Sequence, residues 1–286
     1  TAAPNMGVIT NVGTSHIENL GSQEGILKAK LEILDGLQKG APLFVNGDDK
    51  LLKAVTSSEH PIITYGELET NDYYCTNVYS EGHMTYATII TPKDTYPIAI
   101  PALGIHMVYN SLVAIAIADQ LGLSKQDILD GLMAYIPSKM RMNITQTKQG
   151  LTVMDDTYNA SPDSMKAALK VLADYKAPGR KVAILGDMFE MGDFAPSLHE
   201  EVGRYAAMQK IDVLYAVGDL AEHIAKGAKQ CEDKNLEVSY YKDKQTFITD
   251  LAQILHENDT VLLKASRGMQ FEEIVKAIGK VNDNEK

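Results

Sequence analysis

The stretch KVAILGDMFEMGDFAPSLHEEVGRYAAMQKIDVLYAVG, residues 181–218, determines the fold class of this chain. Its two ends, KVAIL and VLYAVG, are short apolar runs of the kind that form buried strands. The residues between them, near 196–209, are predicted to form a helix. A strand, a helix and a second strand in this order predict a parallel pair joined by a crossover helix.

The same alternation continues on both sides of this stretch. NITQTKQGLTVMDD is predicted to be a hairpin, and VSYY and TVLLKAS are predicted to be strands. Further helices are predicted near residues 163–175, 219–230, 243–256 and 269–279. Together these elements predict a doubly wound, Rossmann-like α/β domain.

The first half of the chain predicts a mostly parallel sheet with an antiparallel excursion. GVITNVG, PLFVNGDD and PIITYG have the composition of strands and alternate with helical segments. Residues 72–100 are rich in β-forming residues and contain turn signals, which indicates antiparallel strands. Pro137 and Ser138 interrupt the pattern, so we expect one domain over residues 1–137 and another over 138–286.

Composition restricts the class of partner. The chain has 286 residues, of which 45% are hydrophobic, and a formal net charge of −11. This charge disfavours nucleic acids and anionic membranes as partners, so a small molecule is expected instead. No apolar run approaches the ~20 residues of a membrane span. Cys75 and Cys231 lie far apart without metal-ligand spacing, which favours a cytoplasmic protein without a disulfide framework.

Polar residues follow the predicted strands of the second half. Ligands of doubly wound sheets bind beyond the carboxyl ends of the strands. Here these ends are Asp155-Asp156, Gly186-Asp187, Gly218-Asp219 and Lys264-Ala265-Ser266-Arg267. The order of elements therefore predicts a polar rim. Two of its motifs also have simpler interpretations: Ser161-Pro162 suits any helix start, and the basic run after TVLL could be a solvated turn.

One lysine falls on an apolar helix face. If Ser22 caps a helix extending to about residue 38, Lys30 shares a face with Ile26, whereas Lys28 points away. A lysine on a buried face extends its amine to water, pairs with a carboxylate, loses its proton or is modified. Periodicity leaves these outcomes open. His16, at the end of the first predicted strand, could face the same cleft, although a lone histidine is usually structural.

Four motifs in order resemble the Mur ligase family. They are VITNVGTSHIENLGSQEGILKAKLEI, DDTYNASPDSM, LGDMFEMG and LLKASRGM, and the resemblance runs through essentially the whole chain. It implies an ATP-dependent amide ligase of peptidoglycan precursor synthesis that adds D-alanyl-D-alanine to UDP-N-acetylmuramoyl-tripeptide through an acyl phosphate. The phosphate loop Gly-x-x-x-x-Gly-Lys-Ser/Thr is missing from the sequence. We therefore expect an incomplete central ATP-binding domain, a complete C-terminal domain, and no activity from this chain alone.

The resemblance also implies roles for individual residues. In the family, the lysine that matches Lys30 becomes a carbamate that helps hold Mg²⁺, and the histidine that matches His16 is a further ligand. Asn110, Arg141 and Asp156 match positions that contact ATP. The implied candidates for the dipeptide pocket are Tyr158, Asn159, Ser161, Asp187, Glu190, Lys264, Ser266 and Arg267.

Two other functions stay open on the sequence. A folylpolyglutamate synthase-like ligase would share the architecture and the lysine, although the rim motifs match it less well. A catalytically silent module that binds a peptide or a nucleotide would explain the missing phosphate loop, whereas the presence of His16 and Lys30 favours a ligase.

Overall fold

The structure, a computed structural model, describes residues 3–14, 17–148, 150–231 and 235–280. The chain divides into two compact units, Thr1–Ile136 and Pro137–Lys286. Each unit contains one six-stranded sheet with helices packed on it. The α/β class predicted from the sequence is confirmed. Within the described residues, no helix is long and apolar enough to cross a membrane.

The sheet of the first unit is mixed. Its strands are β1 (Gly7–Ile9), β2 (Leu43–Asn46), β3 (Ile62–Gly66), β4 (Tyr73–Glu81), β5 (Met84–Ile90) and β6 (Thr95–Ile100), in that spatial order. The pairs from β1 to β4 are parallel, and those from β4 to β6 are antiparallel. The predicted antiparallel excursion is therefore present.

The described residues of this unit form the α-helices α1 (Ile17–Leu20), α2 (Gln23–Leu31), α3 (Ile33–Gly36), α4 (Ile105–Leu121) and α5 (Lys125–Met133). The prediction of a single helix that extends to about residue 38 is wrong in one respect, because the helix breaks at Glu32. The N–H of Glu32 bonds back to the carbonyl of Ala29, a tighter turn than that of an α-helix. In the main core, Leu112 and Ile115 of α4 are completely buried in the same cluster as Ile89 of β5.

The second unit has the predicted doubly wound order. Its strands are β7 (Asn143–Gln146), β8 (Thr152–Asp155), β9 (Lys181–Gly186), β10 (Val213–Val217), β11 (Glu237–Tyr241) and β12 (Thr260–Lys264). They lie in the order β11-β10-β9-β12-β8-β7. All neighbours are parallel except β7 and β8, which form the predicted hairpin. Strand β12 lies between β8 and β9, although it comes last in the chain.

Its helices are α6 (Pro162–Asp174), α7 (Ala195–Ala207), α8 (Ala221–Lys229), α9 (Lys244–Ile254) and α10 (Glu272–Lys280). Apolar side chains from the central strands, such as Val182 and Leu263, are fully buried in one cluster with Phe247 of α9 and Phe271. This core orients the sheet so that the carboxyl ends of β8, β9, β10 and β12 form one edge, which we call the second rim.

Candidate functional site

The second rim contains the polar strand ends identified in the sequence. In the parallel register, Leu263 of β12 pairs with Asp155 of β8, and Lys264 pairs with Leu185 of β9. On the other side of β9, Gly186 pairs with Val217 of β10. The segments that follow these strands therefore begin side by side, as expected from their order.

Lys264 is a buried member of this rim. Only 4% of its side chain is exposed, and its Nζ lies 2.5 Å from Asp156 Oδ2 and 3.0 Å from the carbonyl oxygen of Asn159. Asp156 Oδ1 accepts a further hydrogen bond, at 3.1 Å, from the backbone N–H of Met142. A buried charge needs such partners because desolvation is costly. In this arrangement, Lys264 and Asp156 hold the segment after β8 in place.

Asp187 supports the next strand end. Its carboxylate accepts a hydrogen bond, at 2.7 Å, from the N–H of Ala221 at the start of α8. Burial raises the pKa of Asp187, and backbone hydrogen bonds from Ala221 and Leu220 oppose this shift. Gly218 has a positive φ of 130°, and a side chain there would collide with the Asp187 carboxylate. The buried carboxylate of Asp187 thus fixes the position of the start of α8.

Ser266 joins two neighbouring segments. Its N–H donates to the carbonyl of Asp187 at 2.9 Å, and its Oγ accepts from the N–H of Phe189 at 2.8 Å. The residue is almost fully buried. Lys264, Asp187 and Ser266 therefore form an internal framework, and a ligand of this rim would meet other side chains first.

The exposed candidates of the rim are Tyr158, Asn159, Glu190 and Arg267, together with Arg141. Arg267 pairs with Glu272 at 2.9 Å. The guanidinium of Arg141 lies over the ring of Tyr158, 4.0 Å from its centroid. These side chains are in a position to contact a small polar ligand.

Ser161 has a defined local role. It is the N-cap of α6: its side chain accepts from the N–H of Ser164, whose own hydroxyl accepts from the Ser161 N–H. Pro162 occupies the first helical turn. The helix-start interpretation of this motif is confirmed, and any contact with a ligand would come in addition to it.

A second group of polar residues lies after β1 in the first unit. Lys30 is half-buried, and its Nζ donates to the carbonyl oxygen of Asn11 at 2.6 Å. Burial lowers the pKa of Lys30, and the negative charge of Asp49 opposes that shift in part. Lys28 is exposed. The Ser22 cap is also present, with its Oγ 3.1 Å from the N–H of Gly25.

Two side chains that the sequence reading did not select hold this segment. Asp49 accepts from the N–H of Val12 at 2.7 Å, and Gln23 donates to the carbonyl of Val12 at 3.0 Å. The other Asp49 oxygen accepts from the N–H groups of Leu51 and Leu52. Asp49 ends the run NGDD after a buried strand, which is the same signal that identified Asp187. We call Lys30, Asn11, Val12, Gln23 and Asp49 the first rim.

Asp48 is another carboxylate that the sequence analysis did not select as a candidate. It accepts hydrogen bonds from Tyr109 Oη at 2.6 Å and from Asn71 Nδ2 at 2.9 Å, besides the N–H of Glu67. Burial alone would raise the pKa of Asp48, but these hydrogen bonds outweigh it and the pKa lies below its usual range. The contact fixes Tyr109 on α4, next to the exposed candidate Asn110.

Asn110 lines a largely apolar cavity of about 430 Å³ between α4 and α5. Its Nδ2 lies 3.8 Å from Met107 Sδ. His16 lies outside the described residues. Within the described part of the chain, no group of three or more His, Cys, Asp or Glu side chains is arranged to hold a metal ion.

Comparisons with known families and structures agree with this architecture. The Mur ligase middle domain matches residues 1–118, and the Mur ligase, glutamate ligase domain matches residues 140–267. Together they account for most of the chain, one match in each compact unit. The chain belongs to the Mur ligase family.

Two curated relatives have the same name, UDP-N-acetylmuramoyl-tripeptide–D-alanyl-D-alanine ligase. The Bacillus subtilis protein is 39% identical over 275 residues, which are 96% of this chain and 59% of the relative. The Escherichia coli protein is 30% identical over 280 residues, with 96% and 60% covered. The chain thus spans about 60% of the length of the curated relatives it matches.

Solved structures show the same similarity. MurF from Thermotoga maritima, in complex with ADP, superposes with a TM-score of 0.85 and 25% identity over 100% of this chain and 64% of that one. MurF from Acinetobacter baumannii gives 0.84 and 28%, with 97% and 60% covered. The middle and C-terminal Mur ligase folds therefore extend through the whole described chain.

Proposed function

We propose that this chain forms part of an ATP-dependent ligase that joins D-alanyl-D-alanine to UDP-N-acetylmuramoyl-tripeptide. Residues 1–137 would contribute to ATP binding, and residues 138–286 would form the ligase domain for the incoming dipeptide. The observation that supports this most strongly is the 39% identity over 275 residues with the Bacillus subtilis ligase of that name. The ADP complex of the Thermotoga maritima relative supports nucleotide binding.

The proposed reaction has two steps. The terminal carboxylate of the tripeptide attacks the γ-phosphorus of ATP, and ADP leaves, so that an acyl phosphate forms. The amino group of D-alanyl-D-alanine then attacks the acyl carbon, loses a proton and displaces inorganic phosphate as the amide forms. Positioning and charge stabilisation supply most of the catalysis of phosphoryl transfer. We assign the contacts with ATP to Asn110, Arg141 and Asp156.

The chemistry of Lys30 follows from its surroundings. Because burial lowers its pKa, a larger fraction of the amine is neutral than in a solvated lysine. The neutral nitrogen can attack carbon dioxide and lose a proton, which gives a carbamate anion. The first rim would then contain an anion where it now contains a cation.

Magnesium is proposed on the family resemblance, with carbamylated Lys30 and His16 as its ligands. A carbamate offers hard oxygen ligands of the kind that magnesium prefers. When bound, the ion would neutralise charge on the transferring phosphoryl group. The described residues contain no group of three or more His, Cys, Asp or Glu side chains arranged to hold a metal ion, and the steps above use none.

The second rim is proposed to hold the dipeptide. Arg267 and Asn159 are exposed, and a guanidinium suits the dipeptide carboxylate because it can donate two parallel hydrogen bonds; Arg267 would exchange its pair with Glu272 for that carboxylate. Asp187, Lys264 and Ser266 would act indirectly. They would hold in place the segments that carry Arg267 and Asn159. We also propose a cytoplasmic location, since both cysteines are free.

The test is a ligation assay on the complete product of the gene that encodes this chain. We expect phosphate release that requires both UDP-N-acetylmuramoyl-tripeptide and D-alanyl-D-alanine, with the pentapeptide product identified by mass. Glutamate with a reduced folate serves as the competing substrate pair. Turnover of the folate pair, or nucleotide binding without any ligation, would refute the proposed function.

A further inference from the structure

We infer that Tyr158 is a positioning residue whose ring holds the guanidinium of Arg141 ready for a phosphate oxyanion. This inference rests on the proposed function and reassigns Tyr158, which was expected in the dipeptide pocket. The distance from Arg141 Cζ to the ring centroid is 4.0 Å, within the range of a cation–π contact. Tyr158 is 46% exposed, so the contact lies at the protein surface.

Two hydrogen bonds from backbone N–H groups also join the segment of Arg141 to the segment of Tyr158. The N–H of Tyr158 donates to the carbonyl of Met140 at 3.0 Å, and the N–H of Met142 donates to Asp156 Oδ1 at 3.1 Å. The two neighbours of Arg141 are thus each bonded to the segment that contains Tyr158. Three contacts fix the arginine on this segment: one hydrogen bond between backbone groups, one from a backbone N–H to a carboxylate, and the stacking of the two side chains.

The backbone around Arg141 has an unusual conformation. Met140 and Met142 have positive φ values of 63° and 51°, a region that long side chains seldom adopt. Such conformations persist where surrounding contacts hold them, and they cluster at functional sites. The N–H of Arg141 itself bonds to the carbonyl of Ser138 at 3.2 Å. Arg141 thus lies between two residues of constrained backbone, and its guanidinium lies over the ring.

The other arginines of the chain are engaged differently. Arg180 pairs with Asp259, Arg204 with Glu200 and Arg267 with Glu272. In the described residues, no carboxylate pairs with Arg141. A ring covers one face of a guanidinium and leaves the N–H groups at its edge available. Those donors match the geometry of phosphate oxygens.

The support beneath Tyr158 does not depend on its ring. Lys264 holds Asp156 on one side of Tyr158 and the carbonyl of Asn159 on the other. Replacing the exposed ring should therefore leave this segment in place. Variants of Tyr158 then report on the contact with Arg141 instead of on folding.

The kinetic test uses Tyr158→Phe, Tyr158→Leu and Tyr158→Ala in the complete gene product. We expect the Ala and Leu variants to raise the KM for ATP about twofold to fivefold, the range of a surface cation–π contact. The KM for D-alanyl-D-alanine should not change. Tyr158→Phe should match the wild type, because the contact needs the ring and not the hydroxyl. Arg141→Ala should raise the same KM, and adding Tyr158→Ala to it should cost little more.

A second measurement needs no catalysis. In the NMR spectrum of the 286-residue chain, the ring current of Tyr158 should shift the Arg141 Nε–H resonance. The shift should persist in Tyr158→Phe and disappear in Tyr158→Leu. Thermal unfolding of each variant checks that its fold is intact.

The outcomes separate this inference from the proposed function. A wild-type enzyme that does not join the two substrates refutes the proposed function, and the NMR comparison of Phe with Leu then decides the inference. Equal damage from Tyr158→Phe and Tyr158→Ala would overturn the inference. A rise confined to the KM for D-alanyl-D-alanine would do the same, because it would place Tyr158 in the dipeptide pocket.

Discussion

Lys264 and Lys30 both lie at the carboxyl edge of a sheet, yet their surroundings differ. Lys264 is 4% exposed and contacts the carboxylate of Asp156 at 2.5 Å. Lys30 is half-buried, donates to the carbonyl of Asn11, and has a pKa lowered by burial. A carboxylate partner at hydrogen-bond distance holds the amine of Lys264 in place, whereas partial burial beside a neutral acceptor favours the reactive amine in Lys30. We therefore expect the second-rim lysine to be a structural group, and we propose the first-rim lysine for chemistry.

The largest effect is expected from Lys264→Met. It leaves the Asp156 carboxylate without its cation, and breaking a buried pair in this way costs about 3 kcal/mol of unfolding free energy. Urea unfolding of the chain measures the change. In the double variant with Asp156→Asn, part of the loss should return because no charge is stranded. A loss below about 1 kcal/mol for the single variant would show that Lys264 is not structural.

The next largest effect concerns Lys30. Lys30→Ala should lower the turnover of the complete gene product by at least about a hundredfold, near 3 kcal/mol of activation free energy, while unfolding changes little. Lys28→Ala is the matched control and should be nearly neutral, since its charge is solvated. Added acetate should restore part of the rate to Lys30→Ala by replacing the carbamate. Equal activity of the two variants would contradict the proposed role of Lys30.

The stability of the second rim should also depend on pH, through His199 of α7. This side chain is fully buried; its Nε2 accepts from the N–H of Met188 and its Nδ1 donates to the carbonyl of Ala195. Burial lowers the pKa of His199 to about 4. The unfolded state binds a proton at His199 near pH 6.5, whereas the folded state binds it only near pH 4. The free energy of unfolding is therefore at its full value above pH 6.5 and falls as the pH drops towards 4.

The expected loss between about pH 7 and pH 5 is about 2 kcal/mol. Unfolding of the wild-type chain at several pH values measures it, with His199→Gln as the control. Glutamine can keep both hydrogen bonds but does not titrate. In this variant, the loss of unfolding free energy between pH 7 and pH 5 should be smaller by that amount. If both proteins show the same slope, His199 is not the group responsible.

The smallest expected effect separates two interpretations of Ser161. Ser161→Ala removes the N-cap of α6 and should cost about 1 kcal/mol of stability, whereas Ser161→Asp should retain most of it. If Ser161 is only a cap, the KM for D-alanyl-D-alanine stays unchanged in both variants. A raised KM in Ser161→Asp without lost stability would instead place its hydroxyl in the dipeptide pocket.

The features that were predictable from the sequence are local. Helix caps depend on residues a few positions apart, so Ser22 and Ser161 were identified directly. The phase of α2 distinguishes Lys30 from Lys28 because side chains repeat about every 3.6 residues. Strand and helix alternation predicted the two α/β units in the same way. The break at Glu32 was missed, since apolar periodicity continues through it.

The partners of the candidate side chains depend on the tertiary structure. Lys264 and Asp156 are 108 residues apart in the chain, and they meet because β12 enters the sheet beside β8. No local pattern states which strands become neighbours, since burial of the whole apolar core selects that order. The stacking of Arg141 on Tyr158 has the same origin. The sequence by itself determined which residues reach the rims, and the packing of the sheets decided which of them are buried supports and which remain free for a ligand.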